Sequence, residues 1–406
     1  MTIGIIESVG GASSAAHGRV SAVTARAPYR SRRRFGRIGL AGRLAAIALA
    51  VTTLAGCGGT GGGGAPAGPA ASAASVTPSA AASTDARAGL ANPRTLTGPS
   101  TAATVADVVP IQKNPQPILP VTVKDATGAS VTVTDADRIL ALDVYGTLAE
   151  TVVGLGLGDR LVGRGSSNTL TPMKKLPLVT QNGHELNGEA ILALHPTLIL
   201  TDTTLGPREV QDQLRASGVT VVFFDPKRSI ATIGPQVKAV AHAVGLDSAG
   251  KKLASRIEAE LSEARTAVAA LAPKADAEKL RVAFLYVRGR AGVFFLFGKG
   301  MGADDLIDSL GAVDVATAAG ITGAKPANSE ALLATNPDLL LTMTDGLAST
   351  GGVDGLLQRA GVADTAAGRH QRIVDMADGQ VLSFGPTTPA VLRSLADAIY
   401  RPGGTR

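Results

Sequence analysis

Apolar and polar residues alternate in two short segments of the chain, Val121–Lys124 and Ser130–Thr134. A period of two is typical of strands that bury one face. The residues between them, Asp125–Ala129, include a glycine, so the pattern predicts a β-hairpin. A continuous apolar run, Arg138–Leu142, then predicts a buried strand, and Leu148–Leu155 predicts the helix that follows it.

A fifteen-residue repeat is the most informative feature of the pattern. Asn187–Thr201 recurs as Asn328–Thr342, with nine identical positions at an offset of 141. Each copy predicts a capped helix, a proline turn and a buried strand. Upstream, Leu155–Asp159 is echoed by Leu310–Asp314. Two copies of one βα pattern predict two similar α/β lobes.

A long helical pattern separates the two copies, from Leu246 to Leu271, and Pro273 follows its end. Its apolar residues recur every three or four positions: Leu253, Ile257, Leu261, Ala264 and Val268. The predicted fold class is therefore α/β, with two similar lobes of central β-sheets flanked by helices and joined by one long inter-lobe helix. We assign 118–245 to the N-terminal lobe, 246–272 to the connecting helix and 273–402 to the C-terminal lobe, and expect a ligand in the cleft between the lobes.

Composition separates the first part of the chain from the rest. Residues 1–56 carry eight arginines and one glutamate, so the remainder has a net charge of −1 against +6 for the whole. A nearly neutral remainder offers no electrostatic basis for binding nucleic acid. With 45% apolar residues, the chain can form a large core.

The arginine-rich segment belongs to a predicted signal peptide over 1–56. Ser31–Arg37 is followed by an apolar stretch, 44–54, and then by Leu54–Cys57. The last four residues resemble the lipoprotein cleavage box, which implies that Cys57 becomes the lipidated N-terminus, with palmitate among its acyl chains. Cys57 is the only cysteine of the chain, and the anchor would hold the protein on the extracytoplasmic face of the cytoplasmic membrane. Ser31–Phe35 also resembles a twin-arginine signal, with the general secretory route as the alternative.

Residues 57–117 follow the cleavage box and are rich in Gly, Ala, Pro, Ser and Thr. A segment of this composition buries too little apolar surface to offset its ordering entropy. We therefore predict that the lipid anchor and a disordered tether occupy 57–117.

Two positions carry candidate chemistry for the cleft. His184 lies in a polar loop just before the capped helix, where a side chain can face a ligand. Tyr286 ends the apolar strand Arg281–Tyr286, and Arg288 falls on the same face if the chain stays extended. Arg288 would then donate to the phenol oxygen and stabilise a phenolate, which is a ligand suited to ferric haem. A solvated histidine and a strand-end tyrosine with a surface arginine remain the alternatives at this point.

The lipoprotein box, the tether, the paired lobes and the connecting helix together resemble the binding proteins for iron–siderophore, cobalamin and haem. Within that family, Tyr286–Gly300 and Gly183–Leu186 resemble the haem-binding members of actinobacterial haem-uptake systems. The resemblance implies haem as the transported ligand, with His184 and Tyr286 as axial ligands from opposite lobes and Arg288 bonded to the tyrosine. It also implies delivery to an ABC permease with its ATPase; a ferric siderophore or cobalamin is the alternative ligand.

Further residues are candidates for supporting roles. Side chains after predicted strands are candidates for the haem pocket, with Arg164 directed to a propionate: Tyr145, Arg164, Phe294 and Phe295. By the same resemblance, Glu189 and Glu330, one in each copy of the repeat, would dock on the permease, although a glutamate there also favours the helix dipole.

Other classes of protein lack their motifs in this sequence. There is no Walker-type loop, no G-x-S-x-G and no H-E-x-x-H, so we predict a binding protein rather than an enzyme. A zinc or manganese binder would need clustered histidines and carboxylates, which the spacing does not favour. The expected partners are haem, the permease and the membrane, with no nucleic acid, and the protein is expected to be a monomer.

Overall fold

The structure is a computed structural model and describes residues 90–289 and 292–403. The predicted signal peptide, Cys57 and the tether up to residue 89 lie outside the described residues. The strands in chain order are β1 (Ser100–Thr101), β2 (Val121–Lys124), β3 (Ser130–Val133), β4 (Ile139–Leu142), β5 (Thr180–Gln181), β6 (Glu185–Leu186), β7 (Leu198–Thr201), β8 (Thr220–Phe223), β9 (Arg281–Arg288), β10 (Val293–Phe297), β11 (Val313–Asp314), β12 (Ala324–Pro326), β13 (Leu339–Met343) and β14 (Ile373–Met376).

The α-helices alternate with these strands. They are α1 (Thr147–Gly154), α2 (Gly188–Ala193), α3 (Arg208–Ala216), α4 (Ile230–Ala243), α5 (Asp247–Leu271), α6 (Ala303–Ser309), α7 (Val315–Ala318), α8 (Ser329–Thr335), α9 (Thr344–Ser349), α10 (Gly352–Leu357), α11 (Ala366–Arg369), α12 (Asp378–Val381) and α13 (Thr388–Tyr400). Among the described residues, none of the helices combines the length and the apolar composition that a membrane span requires.

The first lobe contains a parallel sheet in the order β4–β7–β8. Every residue of β4 and β7 is buried, as expected for parallel strands that are covered by helices on both faces. The predicted hairpin is confirmed as β2 and β3, with Val121 opposite Val133. The predicted strand and helix that follow the hairpin are confirmed as β4 and α1.

The second lobe contains a mixed sheet in the order β1–β14–β13–β9–β10–β12, and β11 also pairs with β9. The pairs β1–β14, β14–β13 and β13–β9 are parallel, whereas β10 is antiparallel to both of its neighbours. The carboxyl ends of β9, β13 and β14 therefore meet at one edge of the sheet.

Both copies of the repeat fold as predicted. Asn187 begins α2 by accepting a hydrogen bond from Ala190 N at 3.0 Å, and Asn328 begins α8 through Ala331 N at 2.9 Å. The strands that follow are β7 and β13. Two similar α/β lobes are thus confirmed.

The ends of the repeat are also equivalent in their backbone. His195 and Asn336 follow the two helices with φ of 44° and 36°, so His195 has the turn role that its place before Pro196 indicates. At the strand ends, the hydroxyls of Thr201 and Thr342 both donate to a carbonyl of the neighbouring strand at 2.9 Å.

The long predicted helix is α5, and its buried face contains the predicted apolar residues. It packs against α4 of the first lobe and α13 of the second. One continuous helix of 25 residues therefore joins the two lobes.

The tether prediction is wrong for the part of 57–117 that the structure describes. Ser100–Thr101 adds a parallel strand to β14, and the Thr101 hydroxyl donates to Asp375 at 2.9 Å. Gln380 exchanges two hydrogen bonds with the backbone of Val105, at 3.0 and 2.9 Å. Backbone pairing with an open sheet edge needs little apolar surface, which is why composition alone misplaced the boundary.

Candidate functional site

The candidate residues lie where strands of both lobes end. Asp143 and Tyr145 follow β4, Asp202 follows β7, Tyr286 and Arg288 lie at the end of β9, and Asp378 follows β14 shortly after Met376. In open α/β sheets, ligands bind outside the carboxyl ends of the strands. The positions thus define one candidate site contributed by both lobes.

A buried ion cluster forms the first lobe's part of this site. Arg228 Nη2 lies 3.1 Å from Asp143 Oδ2 and 2.7 Å from Asp202 Oδ2, and all three side chains are at most 1% exposed. Burial, together with the Asp143 carboxylate, raises the pKa of Asp202. Asp143 also accepts hydrogen bonds from Thr147 N and Leu148 N, the first turn of α1.

Tyr145 covers this cluster. Its ring lies 5.2 Å from the Arg228 guanidinium carbon, a distance typical of a cation–π contact. Burial raises the pKa of the Tyr145 phenol, and the nearby Arg228 charge opposes that rise. The Tyr286 phenol of the second lobe adds a further, smaller contribution that raises the Tyr145 pKa.

Tyr286 belongs to an aromatic row in the second lobe. Its ring stacks on Phe297 with centroids 5.3 Å apart, and Phe297 stacks on Phe284 at 5.4 Å. Phe284, Tyr286 and Arg288 share one face of β9 because alternate residues of a strand point the same way.

Arg288 lies over the ring of Tyr286, with its guanidinium carbon 4.7 Å from the ring centroid. Its hydrogen bonds go to Val287 O and Met343 Sδ, and it forms an ion pair of 2.9 Å with Asp378. The shared face is as predicted, but the expected bond to the phenol oxygen is not formed in this structure. The guanidinium instead pairs with the Asp378 carboxylate while it lies over the ring.

The two phenylalanine candidates, Phe294 and Phe295, lie on opposite faces of the sheet. Phe295 lies opposite Tyr286 in the β9–β10 register, so the two side chains share a face. Phe294 lies opposite Val287 on the other face, packs into a separate apolar cluster and has Arg359 5.9 Å from its ring. Phe294 therefore points away from Tyr286, because neighbours in a strand point in opposite directions, and its place in the haem pocket stays a prediction.

His184 occupies the tight loop between β5 and β6 and is exposed. Its Nδ1 lies 3.0 Å from Asn182 O, which favours the tautomer that carries the proton on Nδ1. The other ring nitrogen, Nε2, is then left with its lone pair available to a ligand.

The lobes also meet at a buried carboxyl. Glu150 in α1 is 4% exposed and accepts a hydrogen bond from Thr387 N in the second lobe. Burial raises the pKa of Glu150 to about 7, although Thr387 favours the charged form. A Cβ at Gly385 would lie 2.6 Å from Glu150 Oε2, so a larger residue there would require the Glu150 carboxylate to shift. The Thr147 hydroxyl donates to Ser383 O beside it.

Of the remaining candidates, Arg164 and Glu189 lie in the first lobe and Glu330 lies in the second. Arg164 is half-buried, and its Nε is buried without a hydrogen-bond partner among the described residues. Glu189 and Glu330 are both exposed, at the second residue of α2 and α8.

Sequence reasoning missed the partners of the two tyrosines. Arg228 lies in a loop and Asp378 begins the short helix α12, neither within a motif of its own, and Glu150 sits within a helix pattern that predicted only packing. The one signal was position, since Asp143, Asp202 and Asp378 each follow a buried strand closely. Within 90–289 and 292–403, no group of three or more His, Cys, Asp or Glu side chains could hold a metal ion.

Two lobes joined by a helix, with polar and aromatic side chains at facing strand ends, define a solute-binding protein of the extracytoplasmic type. The model of the periplasmic binding protein family matches residues 144–378, and the chain belongs to this family. It is 25% identical over 287 residues to YvrC of Bacillus subtilis (strain 168), an uncharacterised ABC transporter substrate-binding lipoprotein, covering 70% of this chain and 86% of that protein.

Solved structures extend the comparison. The chain is similar to the haem-binding protein HmuT, with 48% identity, a TM-score of 0.74 and coverage of 77% of this chain and 100% of that one. It is also similar to the periplasmic haem-binding protein RhuT from Roseiflexus sp. RS-1, with 36% identity, a TM-score of 0.60 and coverage of 66% and 98%. Solved HmuT variants replace one His, one Tyr and one Arg by Ala, and the Tyr and Arg are two positions apart.

Proposed function

We propose that this protein captures haem outside the cytoplasm and delivers it to an ABC importer, with binding rather than catalysis as its role. The observation that carries the proposal is the Tyr286–Arg288 pair at the carboxyl end of β9, with the same spacing as the Tyr and Arg substituted in HmuT. Haem is the cargo in this proposal.

Tyr286 supplies one axial ligand to the iron. A phenolate is a hard anionic oxygen ligand that suits ferric haem. The guanidinium of Arg288 stabilises that anion, because an opposite charge nearby favours the ionised form. Stacking on Phe297 fixes the ring, so little ordering entropy remains to be lost on binding.

His184 supplies the opposite ligand from the first lobe. Its Nδ1 contact with Asn182 O leaves Nε2 as the nitrogen that would bind the iron. A flat macrocycle held between a ligand of each lobe would draw the lobes together.

Other side chains complete the proposed pocket. Tyr145 and Phe295 offer apolar ring surface to the porphyrin, and Phe295 shares the face of Tyr286. Arg164 has a buried Nε without a partner among the described residues, which supports the proposed pairing with a haem propionate.

Delivery requires that the protein stays near its transporter. We place it on the outer face of the cytoplasmic membrane through lipidation of Cys57, as the cleavage box and the similarity to a lipoprotein of Bacillus subtilis support. Glu189 and Glu330 would dock on the permease through their exposed carboxylates.

Haemin titration of the apo-protein lacking residues 1–57 tests the proposal by absorption spectroscopy. We expect a Soret band that saturates with haemin, and an altered band with weaker binding in Tyr286→Phe and His184→Ala. His370→Ala, at another exposed histidine, should match the unsubstituted protein. A spectrum equal to that of free haemin would reject haem as the ligand. A ferric siderophore or cobalamin would then be the proposed ligand. A band unchanged in both variants would reject the two ligands.

A further inference from the structure

The two helices of the repeat present the same pair of exposed side chains. α2 exposes Glu189 and Leu192, and α8 exposes Glu330 and Leu333. Residues three positions apart lie on one face of a helix, so each Glu has a Leu beside it. The buried residue between them is aliphatic in both copies, Ile191 and Leu332 at 0% exposure.

Core packing does not account for the two leucines. Leu192 is 40% exposed and Leu333 is 47% exposed. In the described part of the chain, the large apolar side chains with substantial solvent exposure are Val109, Ile118, Leu178, Leu192 and Leu333. A single exposed leucine is ordinary. Two at equivalent positions of a repeat, each beside an exposed carboxylate, form a duplicated surface.

The first of these surfaces continues into a groove. Leu192 and Glu189 border a depression between α2 and α3 whose apolar lining includes Leu186, Val210 and Leu214. An apolar side chain of a partner could therefore be buried against Leu192. Neither Glu189 nor Glu330 forms an ion pair with another described residue, so both carboxylates are available to a cation.

We propose that Leu192 and Leu333 are the apolar halves of two equivalent docking patches, Glu189/Leu192 and Glu330/Leu333, that bind the permease. The inference rests on the proposed delivery to an importer. Because the patches are equivalent, the partner presents two equivalent surfaces, each with a basic side chain and an apolar contact, as a symmetric dimer does. The carboxylates set orientation and salt dependence, whereas the leucines slow dissociation.

The test measures binding of the haem-loaded protein to the purified cognate permease–ATPase complex in nanodiscs. The variants are Leu192→Gln, Leu333→Gln and the double variant, since Gln has nearly the helix propensity of Leu. Leu178→Gln is the matched control, because Leu178 is 48% exposed in the first lobe but outside the repeat. We expect each single variant to bind about 10-fold more weakly, as for an interface contact of moderate strength, and the double variant more weakly still.

The outcomes separate this inference from the proposed function. An unchanged Soret band in all variants, with loss of binding confined to the repeat positions, supports the patches. If the double variant binds normally while Glu189→Gln and Glu330→Gln weaken binding, docking stands and the role of the leucines is rejected. An equal loss in Leu178→Gln, or a loss at only one of the two positions, also overturns the duplicated patch. If the unsubstituted protein does not bind the complex, delivery to this importer fails.

Discussion

Each lobe places an arginine over a tyrosine at the end of a strand, yet the two pairs are built differently. In the first lobe, Arg228 lies 5.2 Å from the Tyr145 ring, is 1% exposed and binds two carboxylates. In the second lobe, Arg288 lies 4.7 Å from the Tyr286 ring, is 32% exposed and binds one.

This difference in burial and pairing indicates different roles for the two arginines. Two carboxylates already neutralise the charge of Arg228, so this side chain holds β4, β7 and α1 together. Its guanidinium is therefore not available to pair with a ligand. Arg288 has one partly exposed carboxylate, Asp378, and retains unsatisfied donors that can turn towards a phenolate. The asymmetry favours Tyr286 over Tyr145 as the iron ligand.

Replacing the two arginines tests this division most strongly. Arg228→Met leaves two buried carboxylates without an opposite charge, which typically costs about 3–5 kcal/mol of unfolding free energy. Arg288→Met removes a partly exposed pair and should cost about 1 kcal/mol or less. Urea unfolding of the apo-proteins, followed by circular dichroism, measures both. Similar losses in the two variants would contradict the comparison.

The contact between the lobes should depend on pH through Glu150. Its folded pKa of about 7 lies above the 4.5 of an ordinary glutamate, so the native state binds the proton more tightly than the unfolded state. This stabilisation is complete below pH 4.5 and is lost as the pH rises towards 7, by on the order of 3 kcal/mol.

Glu150→Gln removes this titration and keeps an oxygen that can accept from Thr387 N. We expect the stability of the variant between pH 4.5 and 7 to fall less steeply than that of the unsubstituted protein. Denaturant unfolding across that range provides the comparison, and Glu258→Gln in the exposed part of α5 is a matched control. Parallel pH profiles for Glu150→Gln and the unsubstituted chain would count against a titrating carboxyl at this contact.

The repeat predicts equal effects in the two lobes. Asn187→Ala and Asn328→Ala each remove a side-chain cap and should each destabilise by about 1 kcal/mol. Urea midpoints give the values, and Asn187→Ser and Asn328→Ser should restore most of the loss because serine also caps. A loss in one lobe only would show that the two copies differ in energy despite their equal geometry.

Asp378→Asn should have the smallest effect on stability, less than about 1 kcal/mol, because the ion pair is partly exposed. Its effect should appear in the absorption spectrum of the haem complex, since Arg288 would lose its ion pair with this carboxylate and could turn towards the Tyr286 oxygen. Asp345→Asn is the control, because the hydrogen bond from Asp345 to Asp378 comes from the backbone N at 2.8 Å and is kept in this variant. Identical spectra for Asp378→Asn and the unsubstituted protein would show that Asp378 does not influence Tyr286 through Arg288.

Much of the fold follows from the pattern of residues along the chain. The alternation in β2 and β3, the capped helices and buried strands of the repeat, and the three-and-four spacing in α5 are all local. Each specifies a backbone conformation through neighbours a few positions away. The prediction failed where pairing was distant, as in β1, which joins β14 from the far end of the chain.

In the candidate site, too, some features follow from local sequence and others depend on distant contacts. The sequence by itself determined that Tyr286 and Arg288 share a face and that His184 lies in a loop before a helix, because these depend on strand period and local turn chemistry. Only the tertiary structure decided that Asp378 holds Arg288, that Arg228 lies beneath Tyr145 and that Phe295 rather than Phe294 faces Tyr286. Those contacts depend on strand order and on how the lobes meet, and residues distant in sequence carry no local signal of either.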